Sequence, residues 1–163
     1  MTDEPIYQAL EVLRKGGIIL YPTDTVWGIG CDATNDEAVE RIYRLKRSGE
    51  KKSMLVLLDH PDKVSLYIRK VPDIAWQLYE VADKPLTLHE FCKKLIRKLN
   101  RPLVSTSANI SGQPAPRTYS EISQDIRQGV DLIVDPSLEG HPTRKASSII
   151  RVGLSGEVNV IRP

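Results

Sequence analysis

The chain has 163 residues, with 23 Lys plus Arg against 21 Asp plus Glu, a formal net charge of +2 and a pI near 8.5. Hydrophobic residues make up 40% and charged residues 27%, a globular balance that excludes wholesale disorder, a collagen-like repeat and a disulfide scaffold. This length suits one domain over 1–163 that buries roughly 70% of its unfolded surface without staples.

The elements alternate between helix and strand, which argues for an α/β fold. Ile6, Ala9, Leu10 and Leu13 fall at helical spacing, and Gly16-Gly17 stops that helix. Ile18-Ile19-Leu20-Tyr21 reads as a buried strand ended by Pro22. Thr34 with Glu37 forms a capping box, opening a helix with Ala38, Val39, Ile42 and Leu45 inward. Met54 to Leu58 reads as a second buried strand. Val64 to Lys70 and Ile74 to Val81 read as helices. Glu90 to Leu99 is a basic amphipathic helix with Phe91, Leu95 and Leu99 inward. Leu103-Val104 is a short strand, and Thr118 with Glu121 caps a helix running to about Arg127. Leu132 to Val134, Ser148 to Val152 and Val158 to Ile161 complete the strands, the last two forming a hairpin around Gly153 to Gly156.

Two cysteines, Cys31 and Cys92, suit reduced thiols in a cytoplasmic protein. Met1-Thr2-Asp3-Glu4-Pro5 lacks the regions of a signal peptide, and no apolar run nears the ~20 residues of a membrane helix. The three histidines are scattered, so no metal site is expected.

Three polar segments border predicted strands, where open α/β sheets bind ligands. Tyr21 to Gly30 sets Thr23, Asp24 and Thr25 in a turn. It suits the amine and carboxylate of a small substrate, or simply a Ser/Thr turn. Lys46-Arg47 through Lys51-Lys52 is either a phosphate clamp or a solvated loop after a helix C-terminus. Ser105-Thr106-Ser107-Ala108-Asn109-Ile110-Ser111-Gly112 can read a base or ribose, or can satisfy its own backbone. Gly-x-Ser-x-Gly, Gly-x-Gly-x-x-Gly and the Walker-type phosphate loop are all absent, which disfavours a hydrolase and both common nucleotide loops.

Taken together, Gly17 to Gly30, Lys46-Arg47 with Lys52-Ser53-Met54, and Ser105 to Pro114 resemble the YrdC-like family of threonylcarbamoyl-AMP synthases. Ala146-Ser147-Ser148-Ile149-Ile150 and Ile161-Arg162-Pro163 add weaker support. The resemblance implies a single-domain twisted mixed sheet flanked by helices, with a concave basic groove. It implies condensation of L-threonine, bicarbonate and ATP to threonylcarbamoyl-AMP and pyrophosphate. Mg²⁺ would be held mainly by the phosphates. By similarity, Lys46, Arg47 and Lys52 face the triphosphate, and Thr25 and Ser147 contact threonine. Ser107, Asn109, Arg117 and Arg162 hold the nucleotide. Implied partners are tRNA or double-stranded RNA and downstream threonylcarbamoyl-transferase proteins. The alternative is a divergent, non-catalytic relative that binds RNA or a nucleotide, since Lys93, Lys94, Arg97, Lys98, Arg101, Arg144 and Lys145 can track phosphates.

Two departures from the family pattern stand out. Arg47 directly follows Lys46, and Ser48 takes the usual Arg place of Lys-x-Arg. Between about 88 and 89 a loop and an Arg-containing strand are missing, since Pro85-Leu86-Thr87-Leu88 runs straight into His89-Glu90-Phe91. An unbroken ~3.8 Å spacing of Cα atoms from Lys84 to Phe91 would mark a true deletion.

Overall fold

The computed structural model describes residues 3–49, 54–80, 90–140 and 149–162. The junction near residues 88 and 89 therefore lies outside the described residues. In chain order the elements are α1 (Glu4–Arg14), β1 (Ile19–Pro22), β2 (Trp27–Asp32), α2 (Asp36–Leu45), β3 (Leu55–Leu57), α3 (Val64–Tyr67), α4 (Asp73–Glu80), α5 (Glu90–Leu99), β4 (Leu103–Ser107), α6 (Gln124–Gly129), β5 (Leu132–Ile133), β6 (Ile149–Val152) and β7 (Val158–Arg162). Among the described residues no helix is long and apolar enough to cross a membrane.

The chain divides into two compact units, 1–59 with 88–143 and 60–87 with 144–163. The first is a mixed five-stranded sheet in the order β3-β4-β2-β1-β5. Among the described residues only β1 and β5 pair in parallel. Side chains alternate across each strand, so the sheet buries two faces. Ile19, Tyr21 and Leu103 pack against α1 and α5 through Ala9, Leu13, Leu95 and Leu99. Ile18, Leu20, Trp27, Ile29, Cys31 and Val104 pack against α2 and α6 through Ala38, Ile42 and Ile126. The result is a three-layer α/β/α arrangement, the mixed α/β sheet with flanking helices that the sequence predicts.

The second unit carries the short helices α3 and α4 and the antiparallel β6–β7 hairpin. Gly156, at φ +88°, sits in the hairpin turn, where its missing Cβ removes the strain of a left-handed backbone.

Several elements differ from the sequence reading. β2 is a fully buried central strand rather than part of a turn. Its signal is alternation, because Trp27, Ile29 and Cys31 point to one face while Gly28 and Gly30 fall on the other. Those glycines are required by packing: a Cβ at Gly30 would stand 2.6 Å from the Val104 carbonyl and 2.8 Å from Cε1 of Tyr21. β4 extends through Ser105-Thr106-Ser107, because Gly30, Ile29 and Gly28 of β2 lie opposite those residues in the antiparallel ladder. β3 is an edge strand and not a buried one, with Leu55 61% and Val56 52% exposed. The cap of α2 is Asn35, whose side chain accepts from Ala38 N–H at 3.0 Å. Thr34 instead donates its hydroxyl to Asp32 at 2.7 Å. α3 stops at Tyr67. Thr118 and Glu121 open only a 3₁₀ turn, and Ser123 caps the α6 helix that follows.

Candidate functional site

The turn between β1 and β2 is tied by one side chain. The Thr23 hydroxyl donates to the Val26 carbonyl at 2.6 Å and accepts from the N–H groups of Thr25 and Val26 at 3.2 and 3.3 Å. This knot places the half-buried Thr25 hydroxyl 3.4 Å from Thr23 Oγ1. The turn is anchored on its β2 side, where Trp27 N–H donates to the Pro116 carbonyl at 2.9 Å. The exposed Arg117 follows Pro116 directly and is thereby set beside the turn.

Gly28 pairs with Ser107 and Gly30 with Ser105, so both serines lie on the Tyr21 face of the sheet. Across the gap left by the glycines, the Tyr21 hydroxyl donates to Ser105 Oγ at 2.7 Å. Burial, reinforced by nearby Cys92, pushes the Tyr21 hydroxyl above its usual range despite that hydrogen bond, so it stays neutral.

The end of α2 is stitched to the segment after β4. Lys46 is buried, and its ammonium donates to the carbonyls of Ser107 at 2.5 Å and Asn109 at 2.8 Å. Its own carbonyl accepts from Ser111 N–H at 2.8 Å, and the hydroxyls of Ser48 and Ser111 meet at 2.8 Å. Burial pushes the Lys46 ammonium down to about 8. The Asn109 amide donates to the Ile110 and Gln113 carbonyls, and its Oδ1 is enclosed without a partner. Arg47 leaves this cluster. It adopts φ 51° and pairs with Asp125 of α6 at 2.7 Å.

The structure therefore brings Lys46, Ser107 and Asn109 together, with Thr25 and Arg117 at the neighbouring turn. It turns Arg47 toward α6. Lys52 and Ser147 lie outside the described residues, as does the side chain of Arg162.

Sequence reasoning missed one residue of this region. Glu139 Oε2 accepts from Trp27 Nε1 at 2.8 Å and from Tyr119 N–H at 3.0 Å, and the two rings lie 5.5 Å apart. It braces the start of β2 from a position 112 residues away, a separation that leaves no local pattern to read.

The chemistry available here is positioning and charge. Cys31 and Cys92 are free, buried thiols pushed up to about 12, chiefly by burial, so neither is a ready nucleophile. Among the described residues no group of three or more His, Cys, Asp or Glu is placed to hold a metal ion.

Comparisons with known proteins identify the family of the chain. A model of the Sua5/YciO/YrdC family, described as telomere recombination, matches residues 11–88 and 85–163. A curated protein named threonylcarbamoyl-AMP synthase from Pseudomonas fluorescens is 32% identical over 189 aligned positions, covering 97% of this chain and 96% of that protein. Among solved structures, E. coli YciO matches with a TM-score of 0.77 at 24% identity, over 99% of this chain and 89% of that one. P. abyssi Sua5 complexed with L-threonine matches with a TM-score of 0.74 at 24% identity, over 83% of this chain and 47% of that one. The chain thus spans about half the length of that Sua5 protein.

Proposed function

Given that this chain belongs to the Sua5/YciO/YrdC family, we propose that it is a nucleotidyltransferase that makes threonylcarbamoyl-AMP. Its substrates in this reading are L-threonine, bicarbonate and ATP, with Mg²⁺ entering as part of the nucleotide substrate. The threonine amine takes up bicarbonate with loss of water. The new carbamate oxygen then attacks the α-phosphorus, and pyrophosphate leaves. The threonylcarbamoyl group passes onward to an adenosine of tRNA through separate transferase proteins.

The observation that carries this reading is the Lys46 cluster at the end of β4. An ammonium has three N–H donors, and two of them fix the Ser107 and Asn109 carbonyls. The third can meet a phosphate oxygen. The reaction joins two anions, so its demands are charge neutralisation and alignment rather than a nucleophile. Lys46 and Lys52 supply positive charge along a basic groove. Arg47 joins them when it leaves Asp125, an exposed pairing that costs little to break. Thr25 and Ser147 hold threonine, and Ser107, Asn109, Arg117 and Arg162 hold the nucleotide. Residues 1–163 act as one domain in this reading.

A second reading, a relative that binds the nucleotide without making the adenylate, is favoured by one observation. The family match breaks at 85–88. Because 97% of 163 residues is about 158, about 31 of the 189 aligned positions have no residue of this chain opposite them. The loop and Arg-containing strand expected near residues 88 and 89 fall at this break. Pyrophosphate release that requires ATP, threonine and bicarbonate together supports the synthase. ATP binding without release in any combination overturns it in favour of the second reading.

A further inference from the structure

Trp27 opens β2 and is buried. Its polar groups each reach a different segment of the chain. The backbone N–H donates to the Pro116 carbonyl at 2.9 Å, and the backbone carbonyl accepts from Ala108 N–H at 2.9 Å. The indole N–H donates to Glu139 Oε2 at 2.8 Å. Gly28, the next residue, pairs with Ser107 at this end of the β2–β4 ladder, whereas Asp32 pairs with Leu103 at the other.

These segments carry side chains that the synthase reading assigns to its substrates. Thr25 lies two residues before Trp27, Asn109 follows Ala108, and Arg117 follows Pro116. A shift of Trp27 therefore moves the Thr25 turn relative to the other two segments.

The mount that holds the indole is itself tied down. Glu139 ends the 3₁₀ turn Pro136–Leu138, and its N–H donates to the Pro136 carbonyl at 2.9 Å. Asp135 closes the front of that turn by accepting from Ser137 N–H at 2.8 Å, and Leu138 packs against the core. The Glu139 oxygen that takes the indole also accepts from Tyr119 N–H at 3.0 Å. The Tyr119 ring lies 5.5 Å from that of Trp27, and the Arg127 guanidinium lies 5.0 Å from the Tyr119 ring. Arg127 is fixed in turn, because its Nε donates to the Ile122 carbonyl at 2.8 Å.

A buried indole needs one acceptor, and any carbonyl would satisfy it. That need does not explain a carboxylate oxygen that gathers two donors from two segments. Hydrogen bonds to a carboxylate are roughly twice as strong as neutral ones. Two of them on one oxygen fix the start of β2 against the segment that carries Arg117. The reaction gains from such fixing, since the carbamate has to meet the α-phosphorus in line and a small misplacement costs rate.

We propose that Glu139 is a positioning residue for the threonine turn and acts through Trp27. This role deepens the synthase reading of the site and rests on it. The effect falls on threonine, because the Thr25 turn leads directly into Trp27. The nucleotide side keeps its own tie, the Lys46 ammonium on the Ser107 and Asn109 carbonyls.

The test measures pyrophosphate release by the full chain, with threonine and ATP varied in turn at saturating bicarbonate. Glu139→Leu removes the acceptor and should raise the threonine KM at least about tenfold, with the ATP KM within about twofold of wild type. Glu139→Gln keeps an oxygen but loses the charge, and should raise the threonine KM several-fold. Trp27→Phe removes the indole donor and should match Glu139→Leu. The double variant Trp27→Phe with Glu139→Leu should be no worse than either alone, because both remove one bond. Where a thermal melt shows Glu139→Leu or Trp27→Phe unfolded, Glu139→Gln decides by its KM split. Equal changes in the two KM values overturn the proposal, as does an unchanged threonine KM in a folded variant. Effects that multiply in the double variant also overturn it. Wild-type chain that gives no threonine-dependent release overturns the synthase reading and this role with it. Wild-type release with variants that fail the KM split overturns this role alone.

Discussion

The two ends of the β2–β4 ladder each bury one charged side chain, and they treat it in opposite ways. Asp32, 2% exposed, accepts from the N–H and hydroxyl of Thr34 and from Arg101. Burial by itself would raise its carboxyl, but the bonds from Arg101 and Thr34 outweigh it and hold the group below the usual carboxylate range. Lys46, 7% exposed, meets two neutral carbonyls, and burial drives its ammonium down to about 8. One end carries a charge matched by an opposite charge. The other carries a cation that meets no carboxylate among the described residues. A buried ion without a counter-ion is expensive as pure structure. It makes sense where a ligand brings the negative charge.

The largest break in this comparison comes from Lys46→Met. Removing the ammonium frees two carbonyls and one phosphate contact, and pyrophosphate release should fall by about 100-fold or more, on the scale of losing one preorganised donor. Wild-type turnover in that variant would reduce Lys46 to a structural tie between α2 and the segment after β4. Asp32→Asn should show the opposite profile. It should cost roughly 1–3 kcal/mol of unfolding free energy in denaturant titration, with kcat per folded molecule unchanged.

The pH dependences of the two ends should share a sign and differ in window, because both groups titrate lower in the folded chain. Asp32 titrates lower in the folded than in the unfolded chain. Its contribution is therefore complete above pH ~4 and is lost as pH falls through the folded value. Lys46 titrates near 8 folded and near 10.5 unfolded, so the unfolded chain holds the extra proton between those values. Stability should then rise between pH 8 and 10.5, by about 2–3 kcal/mol, in wild type relative to Lys46→Met. A flat difference across that window would show that the two carbonyl bonds fully offset burial.

Glu139→Gln sharpens the picture within the cluster end. It weakens the brace on Trp27 and Tyr119, and should raise the threonine KM several-fold more than the ATP KM, because the Thr25 turn is the part it supports. Equal changes in both would make Glu139 a stability residue only. The smallest effect belongs to Asp125→Asn. Its pair with Arg47 is exposed on both sides, so stability should change by less than ~1 kcal/mol in thermal melts.

Much of this architecture was legible from local chemistry. The periodicity of Ile6, Ala9, Leu10 and Leu13 and of Phe91, Leu95 and Leu99 placed α1 and α5, and the apolar run at Ile19 placed β1. Those signals are intrinsic to a few adjacent residues. The Lys46, Ser107 and Asn109 candidates could likewise be named from their residue types. The split between Lys46 and Arg47 was not legible. Two adjacent cations at a helix end look alike in a sequence, and only the return of β4 alongside α2 supplies carbonyls to one while α6 supplies Asp125 to the other.

The same division holds for the molecule as a whole. Length, composition and hydrophobic spacing by themselves determined an α/β chain of 163 residues with a charge of +2. They also determined the residue types its site has to work with. Tertiary structure alone decided that Gly28 and Gly30 make room for Tyr21 to reach Ser105, that Glu139 braces Trp27, and that β3 is an edge strand. It also sealed one cation, Lys46, against the Ser107 and Asn109 carbonyls. The physical reason is range. Propensity and amphipathicity act over a few residues, whereas burial, desolvation and ion pairing depend on partners that only the folded chain brings within hydrogen-bonding distance.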